Sequence, residues 1–138
     1  MGVEENKAMV RRSIEEVWNK GNLAVVDETM ASSYVLHFPG QDYKGPESFK
    51  QMVTMTRTAF PDLHMTIEDM VAEEDKVAYH LTMRGTHRGD FMGIAPTGKQ
   101  VTITGISIHR FAGGKEAEVW GSSDMLGMMQ QLGAIPSQ

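Results

Sequence analysis

At Pro61 the hydrophobic pattern changes period, and this limits the folds open to the chain more than any other feature. Before it, apolar residues recur at helical spacing; after it, from Leu63, they alternate. Val3, Val10, Ile14, Val17 and Trp18 share one face of a helix predicted over 4–20, with Glu5, Arg11, Arg12, Glu15 and Glu16 mainly opposite. Gly21-Asn22 stops it, and a short helix over 23–31 follows. A strand from Tyr34 to Phe38 is closed by Pro39-Gly40. Gly45-Pro46-Glu47 opens a third helix, striped by Phe49, Met52 and Val53, which Phe60-Pro61-Asp62 ends.

Beyond Pro61 the alternation defines strand faces. Leu63, Met65 and Ile67 alternate with His64, Thr66 and Glu68. A strand over 77–87 places Val77, Tyr79, Leu81 and Met83 on one face. His80, Thr82, Arg84 and Thr86 share the other, which faces either solvent or a polar-lined pocket. The 89–99 loop carries Phe91, Met92 and Ile94, so it folds over a core or lines a site. The strand over 101–111 puts Val101, Ile103, Gly105, Ser107, His109 and Phe111 on one face and Thr102, Thr104, Ile106, Ile108 and Arg110 on the other. With both faces partly apolar, it reads as a central strand covered on both sides. Gly113-Gly114 turns the chain into a hairpin strand over 116–120, and a short helix over 125–132 ends at Gly133. Helices followed by an antiparallel meander predict an α+β fold, one domain over 1–138.

Several functions are disfavoured. The 138 residues include no cysteine, which excludes disulfides, thiolate metal sites and cysteine nucleophiles. The net charge of -5 comes without a Lys/Arg cluster, so no nucleic-acid partner is expected. No apolar run is long enough to span a bilayer, and the charged amphipathic start lacks a signal-peptide core; no membrane partner and a cytoplasmic location are the expectations. No GxGxxG, P-loop, GxSxG or HExxH motif occurs, and the five histidines are scattered, so neither a cofactor nor a metal is expected.

What remains is acid–base chemistry by His and Asp in a pocket. Asp124, beside Trp120 and Met125-Leu126, is either a partly desolvated acid/base or the N-cap of the following helix. His109 shares a face with Ser107 and Gly105; it either pairs with a carboxylate or substrate oxygen or is exposed near the strand end. Trp18 is core packing or a cavity wall. His37, among apolar neighbours, is a satisfied rim residue or a functional one.

The motifs Ala59-Phe60-Pro61-Asp62, Gly85-Thr86-His87-Arg88-Gly89, the 91–99 loop, Trp120 with Asp124 four residues on, and Gln131-Leu132-Gly133 together resemble the SnoaL-like polyketide cyclase family of the NTF2-like superfamily. The resemblance covers nearly the whole chain. It implies a cone: a curved antiparallel mixed sheet wrapped by N-terminal helices around a pocket, in a homodimer or homotetramer. It also implies cofactor-independent ring closure of a polyketide or similar conjugated carbonyl compound by intramolecular aldol condensation. By position Asp124 resembles the family's acid/base aspartate and His109 its assisting histidine. Trp18, His37, His80, Arg84, His87, Phe91 and Trp120 are then expected to line the pocket, around a small apolar or aromatic ligand. Gly113-Gly114 stands where relatives often have Asp-Gly, and His80 where many carry a basic residue. Other acid–base reactions on the same cone, isomerisation or epoxide hydrolysis, and a non-catalytic binding or oligomerisation module remain open.

Overall fold

A computed structural model describes residues 2–136. The first helix, α1 (Val3–Arg12), runs without a break into a π-helical segment, Ser13–Asn19, so the predicted helix is present with a wider last stretch. Helix α2 (Ala24–Thr29) leads into β1 (Met30–Phe38), which is longer than the periodicity indicates, and the edge strand β2 (Gln41–Lys44). The sequence pattern misses β2 because its four residues are mostly polar and exposed, leaving no alternation to detect. Helix α3 (Gly45–Ala59) starts with proline in its first turn, as expected. Four strands follow, β3 (His64–Glu73), β4 (Lys76–Thr86), β5 (Gln100–Ala112) and β6 (Lys115–Ser123), and then α4 (Met125–Leu132).

The six strands form one curved, unclosed sheet in the order β2-β1-β6-β5-β4-β3. All pairs are antiparallel except β1 with β6, which are parallel, so the sheet is mixed as expected. The helices lie against one face. Its core has two parts. Val10 and Ile14 meet Val77, Tyr79, Leu81, Met83, Ile103, Met128 and Leu132; Val17, Val25, Val26, Phe49 and Val53 meet Tyr34, Leu36 and Val119. Half-buried Trp18 touches both parts and packs edge-on against Phe49.

The end of the π-helical segment is fixed by side chains. Asn19 pairs with the Met65 backbone, accepting its N–H at 2.7 Å and donating to its carbonyl at 3.0 Å. Arg57 donates to the carbonyls of Trp18 and Asn19, groups left open where a helix ends. Trp18 is therefore held in place from α3 and from β3.

One expectation is corrected. β5 lies inside the sheet, but only one of its faces is covered. On the outer face Ile106 is 59% exposed and Ile108 38%, beside exposed Val71 and Trp120. The helices pack on the other side, and among the described residues no second layer covers this one.

Candidate functional site

Strand register decides which predicted residues can act together. On the inner, concave face Tyr79 pairs with Ser107, Val77 with His109, and Leu81 with Gly105. The same face continues into β6, where Ser107 pairs with Gly121, Gly105 with Ser123, and His109 with Val119. Four small residues, Gly105, Ser107, Gly121 and Ser123, thus meet in the middle of a face otherwise built from large apolar side chains. Ser107 and Ser123 keep solvent contact there. Phe38 reaches over Gly121, where an added Cβ would sit 2.9 Å from its ring, so glycine at 121 permits this close approach. The small residues form a floor on the inner face that Phe38 covers at Gly121, and Trp18 packs into the core on the same side.

His109 closes one end of this floor. Its Nε2 lies 2.8 Å from the Tyr79 hydroxyl and its Nδ1 2.5 Å from Glu116 Oε1. His109 is buried and Glu116 is nearly inaccessible. Burial pushes the Tyr79 phenol well above its ordinary value; the neighbouring Ser107 hydroxyl pulls it down and the charge of Glu116 pushes it further up. The Tyr34 phenol is raised in the same way, by burial first, then by Glu116 and Tyr79.

Asp124 stands at the other end. It is exposed and caps α4, accepting the Gly127 N–H at 2.9 Å, while its own N–H donates to the Thr104 carbonyl. Ser123 is opposite Gly105, four residues along β5 from His109. At about 3.3 Å per residue that separation is roughly 13 Å. Asp124 and His109 therefore flank one floor without touching.

The other predicted site residues separate by face. His37, His80, Arg84 and Trp120 lie in outer-face rows and do not reach the concave floor. His87 is fully buried; its Nδ1 takes the Thr97 N–H at 3.2 Å and lies 3.0 Å from the Thr97 hydroxyl, which ties down the 88–98 loop. Phe91 packs edge-on against Phe60 beneath that loop. Of the expected lining, Trp18, His87 and Phe91 are on the concave side, the last two packed on Phe60 over Gly85. Tyr79 and Glu116 were missed. Tyr79 sat unmarked in an apolar row, and a bulge between Arg110 and Phe111 shifts the β5–β6 register just where Glu116 turns inward. Among the described residues no three His, Cys, Asp or Glu groups are placed to hold a metal ion. No helix of the described residues is long and apolar enough to cross a membrane.

On the outer face His37 bridges Asp42, 2.8 Å from Nδ1, and Glu118, 2.6 Å from Nε2, and stacks on Trp120. Arg110 also bonds Glu118 at 3.2 Å. The bond to Glu118, then that to Asp42, raises the His37 pKa above its ordinary 6.5. The bond from His37, with that from Arg110, lowers Glu118 below 4.5 despite partial burial. The histidine's contribution to stability is complete below about 6.5 and is lost as pH rises through its raised value. That of Glu118 is complete above about 4.5 and is lost as pH falls through its lowered value. Between pH 6 and 8.5 the protein should lose about 0.5–1 kcal/mol that a His37→Gln variant does not lose, as expected of partly exposed pairs. Urea titrations at both pH values measure it; equal losses in the two proteins would exclude the bridge.

Comparisons with known proteins agree with this architecture. A family model described as SnoaL-like polyketide cyclase matches residues 8–132. The aklanonic acid methyl ester cyclase of Streptomyces peucetius is 30% identical over 91% of this chain and 88% of its own length. That of Streptomyces galilaeus is 30% identical over 95% and 92%. A solved structure assigned to a SnoaL-like polyketide cyclase from Jannaschia sp. CCS1 superposes with a TM-score of 0.90 at 26% identity, covering 97% of this chain and 95% of that one. AclR from Streptomyces galilaeus, assigned as a hydroxylase, superposes with a TM-score of 0.89 at 28% identity, covering 99% and 86%. The sheet, the helices on its concave side and the match over 8–132 together place the chain in the SnoaL-like polyketide cyclase family, with its NTF2-like α+β fold.

Proposed function

We propose that this protein closes a ring in a polyketide ester or similar conjugated carbonyl compound by intramolecular aldol condensation. The observation that carries this reading is the floor of small residues, Gly105, Ser107, Gly121 and Ser123, with the Asp124 carboxylate beyond one end and a buried histidine at the other. Asp124 takes a proton from the carbon acid, and conjugation spreads the charge of the enolate over the substrate. The enolate carbon attacks a carbonyl carbon of the same molecule, forming the ring bond. The resulting alkoxide, two bonds from the deprotonated carbon, takes a proton supplied from the His109 side. His109, four residues along β5 from the level of Ser123, is too far to meet that oxygen directly, so its proton passes through an intervening group. The step moves protons and forms one carbon–carbon bond, so product and substrate have equal mass.

The test is incubation with aklanonic acid methyl ester, the compound in the relatives' names, followed by chromatography with mass detection. The expected result is a new peak of unchanged mass that requires the protein. No conversion at stoichiometric protein would remove the reading for this substrate class.

The reading includes a homodimer. The bare outer face has an apolar centre, Val71, Ala78, Ile106, Ile108 and Trp120. Around it stand both signs of charge, Arg84 and Arg110 with Asp69 and Glu118. Such a patch is complementary to itself under a two-fold rotation, so a second copy is its occupant. Ile106→Arg should weaken self-association by roughly 100-fold, since a buried unpaired charge at an interface centre costs several kcal/mol. Sedimentation velocity over a concentration series reads this out; an unchanged dimer would exclude the face, and a wild-type monomer would exclude the assembly.

A further inference from the structure

The proposed reaction leaves one part of the interior unexplained. Glu116 is a carboxylate with 1% of its surface exposed, and burying such a group costs far more than an apolar residue there would. Its partner His109 is pinned at Nδ1, which leaves Nε2 to Tyr79. Tyr79 is the direct cross-strand partner of Ser107 on the inner face. Three of these side chains are buried, while Ser107 is half-buried and opens onto the concave floor. A network that only served packing would need no outlet. This one leads from the core to the floor.

We propose that Glu116, His109, Tyr79 and Ser107 form a proton relay that serves the oxygen of a carbonyl substrate through the Ser107 hydroxyl. The proposal rests on the reading above and adds to it the route by which the alkoxide is protonated. With both ring nitrogens of His109 protonated, Nδ1–H donates to Glu116 and Nε2–H to the Tyr79 oxygen. Tyr79 O–H then donates to Ser107, and Ser107 O–H to the substrate alkoxide. One concerted shift moves the Ser107 proton to the alkoxide, the Tyr79 proton to Ser107, and the Nε2 proton to Tyr79. The substrate oxygen gains one proton, His109 passes from imidazolium to imidazole, and Glu116 stays a carboxylate. The proton that Asp124 took from the carbon acid returns to His109 through water and the same chain, so the cycle closes and no electrons are transferred. In the discharged state Tyr79 O–H donates to Nε2.

Ser107 is the catalytic member, because it alone meets the substrate. Tyr79, His109 and Glu116 position and supply its proton. The charged or titratable groups facing Glu116 are His109, Tyr79 and Tyr34. The raised phenols of Tyr79 and Tyr34 keep both protonated, so neither competes with Glu116 for the negative charge.

The test uses the folded protein and 2-naphthol, a flat aromatic enol, as the probe. Nitrogen NMR follows the His109 ring and carbon NMR the Tyr79 ring, while Trp18 indole and Met52 methyl signals report occupation of the concave side. The expected result is that 2-naphthol moves all four in the wild type. In Ser107→Ala it should still move Trp18 and Met52, with the His109 response lost. In Glu116→Gln the His109 ring signals should change before any probe is added, because the ring loses its anionic partner. If Trp18 and Met52 respond while His109 and Tyr79 do not, the relay is wrong and the cyclase reading stands. If Ser107→Ala keeps the full His109 response, Ser107 is not the outlet and the relay as drawn is wrong. If none of the four moves at saturating probe, both proposals fail. Should Glu116→Gln not fold, Ser107→Ala still decides, since it removes one half-buried hydroxyl.

Discussion

Asp124→Asn should reduce ring closure by about 10²–10⁴-fold in kcat while leaving the melting temperature unchanged, because proton transfer by a positioned side chain contributes about that much. The substitution separates the observed cap role of Asp124 from its proposed acid/base role. As the N-cap of α4, Asp124 accepts the Gly127 N–H through Oδ1. Asparagine caps helices about as well as aspartate and keeps the oxygen, so the helix should be indifferent. As an acid/base it needs a carboxylate, which asparagine lacks. Gly127→Ala gives a complementary result. An added Cβ at 127 would collide with the Asp124 carboxylate, so alanine there displaces the group without changing its chemistry. It should lower kcat by less than Asp124→Asn and cost some stability through the cap. Turnover at the wild-type rate in a folded Asp124→Asn protein would leave Asp124 as a cap only. The comparison is made by product chromatography, with thermal unfolding of each variant alongside.

Phe60→Ala should destabilise the protein by about 3–5 kcal/mol, the usual cost of emptying a large aromatic site. Against a total stability of about 5–15 kcal/mol this brings the fold near its limit. Phe60 is fully buried where α3 ends, and several structural features depend on it. It packs edge-on with Phe91 at 5.3 Å and lies against the His87 ring at 5.5 Å. It also covers Gly85, where an added Cβ would come within 3.0 Å of Phe60 Cβ. Next to it the Ala59 carbonyl accepts the N–H groups of Arg88 and Gly89. Removing the ring opens a cavity that these rigidly held neighbours cannot fill, so the loss should reach the upper part of the range. Phe60→Leu should cost clearly less, since it leaves most of the volume. Urea unfolding checks both: the midpoint should fall with the slope unchanged. A loss under about 1 kcal/mol for Phe60→Ala would mean that the 88–98 loop collapses into the space.

Local patterning set the elements of this protein. The helical spacing of Val10, Ile14, Val17 and Trp18, the proline at 46 and the alternation from Leu63 onward depend on neighbours in sequence, and each produced its element within a few residues. The two faces of β5 were also legible, because alternation requires no knowledge of a partner strand. Which face is covered was not. Ile106 and Ile108 read as core but face outward, since all four helices lie on the other side and only tertiary packing decides that. The same distinction applies to the site. Asp124 and His109 could be nominated one by one as residues of a useful type. That they stand at opposite ends of one face follows from the β5–β6 register, which a bulge after Arg110 shifts. Glu116 and Tyr79 became visible only with that register: a carboxylate beside a hairpin turn and a tyrosine in an apolar row carry no local mark that they meet at one histidine. They meet at His109 because three strands align there, through contacts made across 30 residues in one direction and seven in the other.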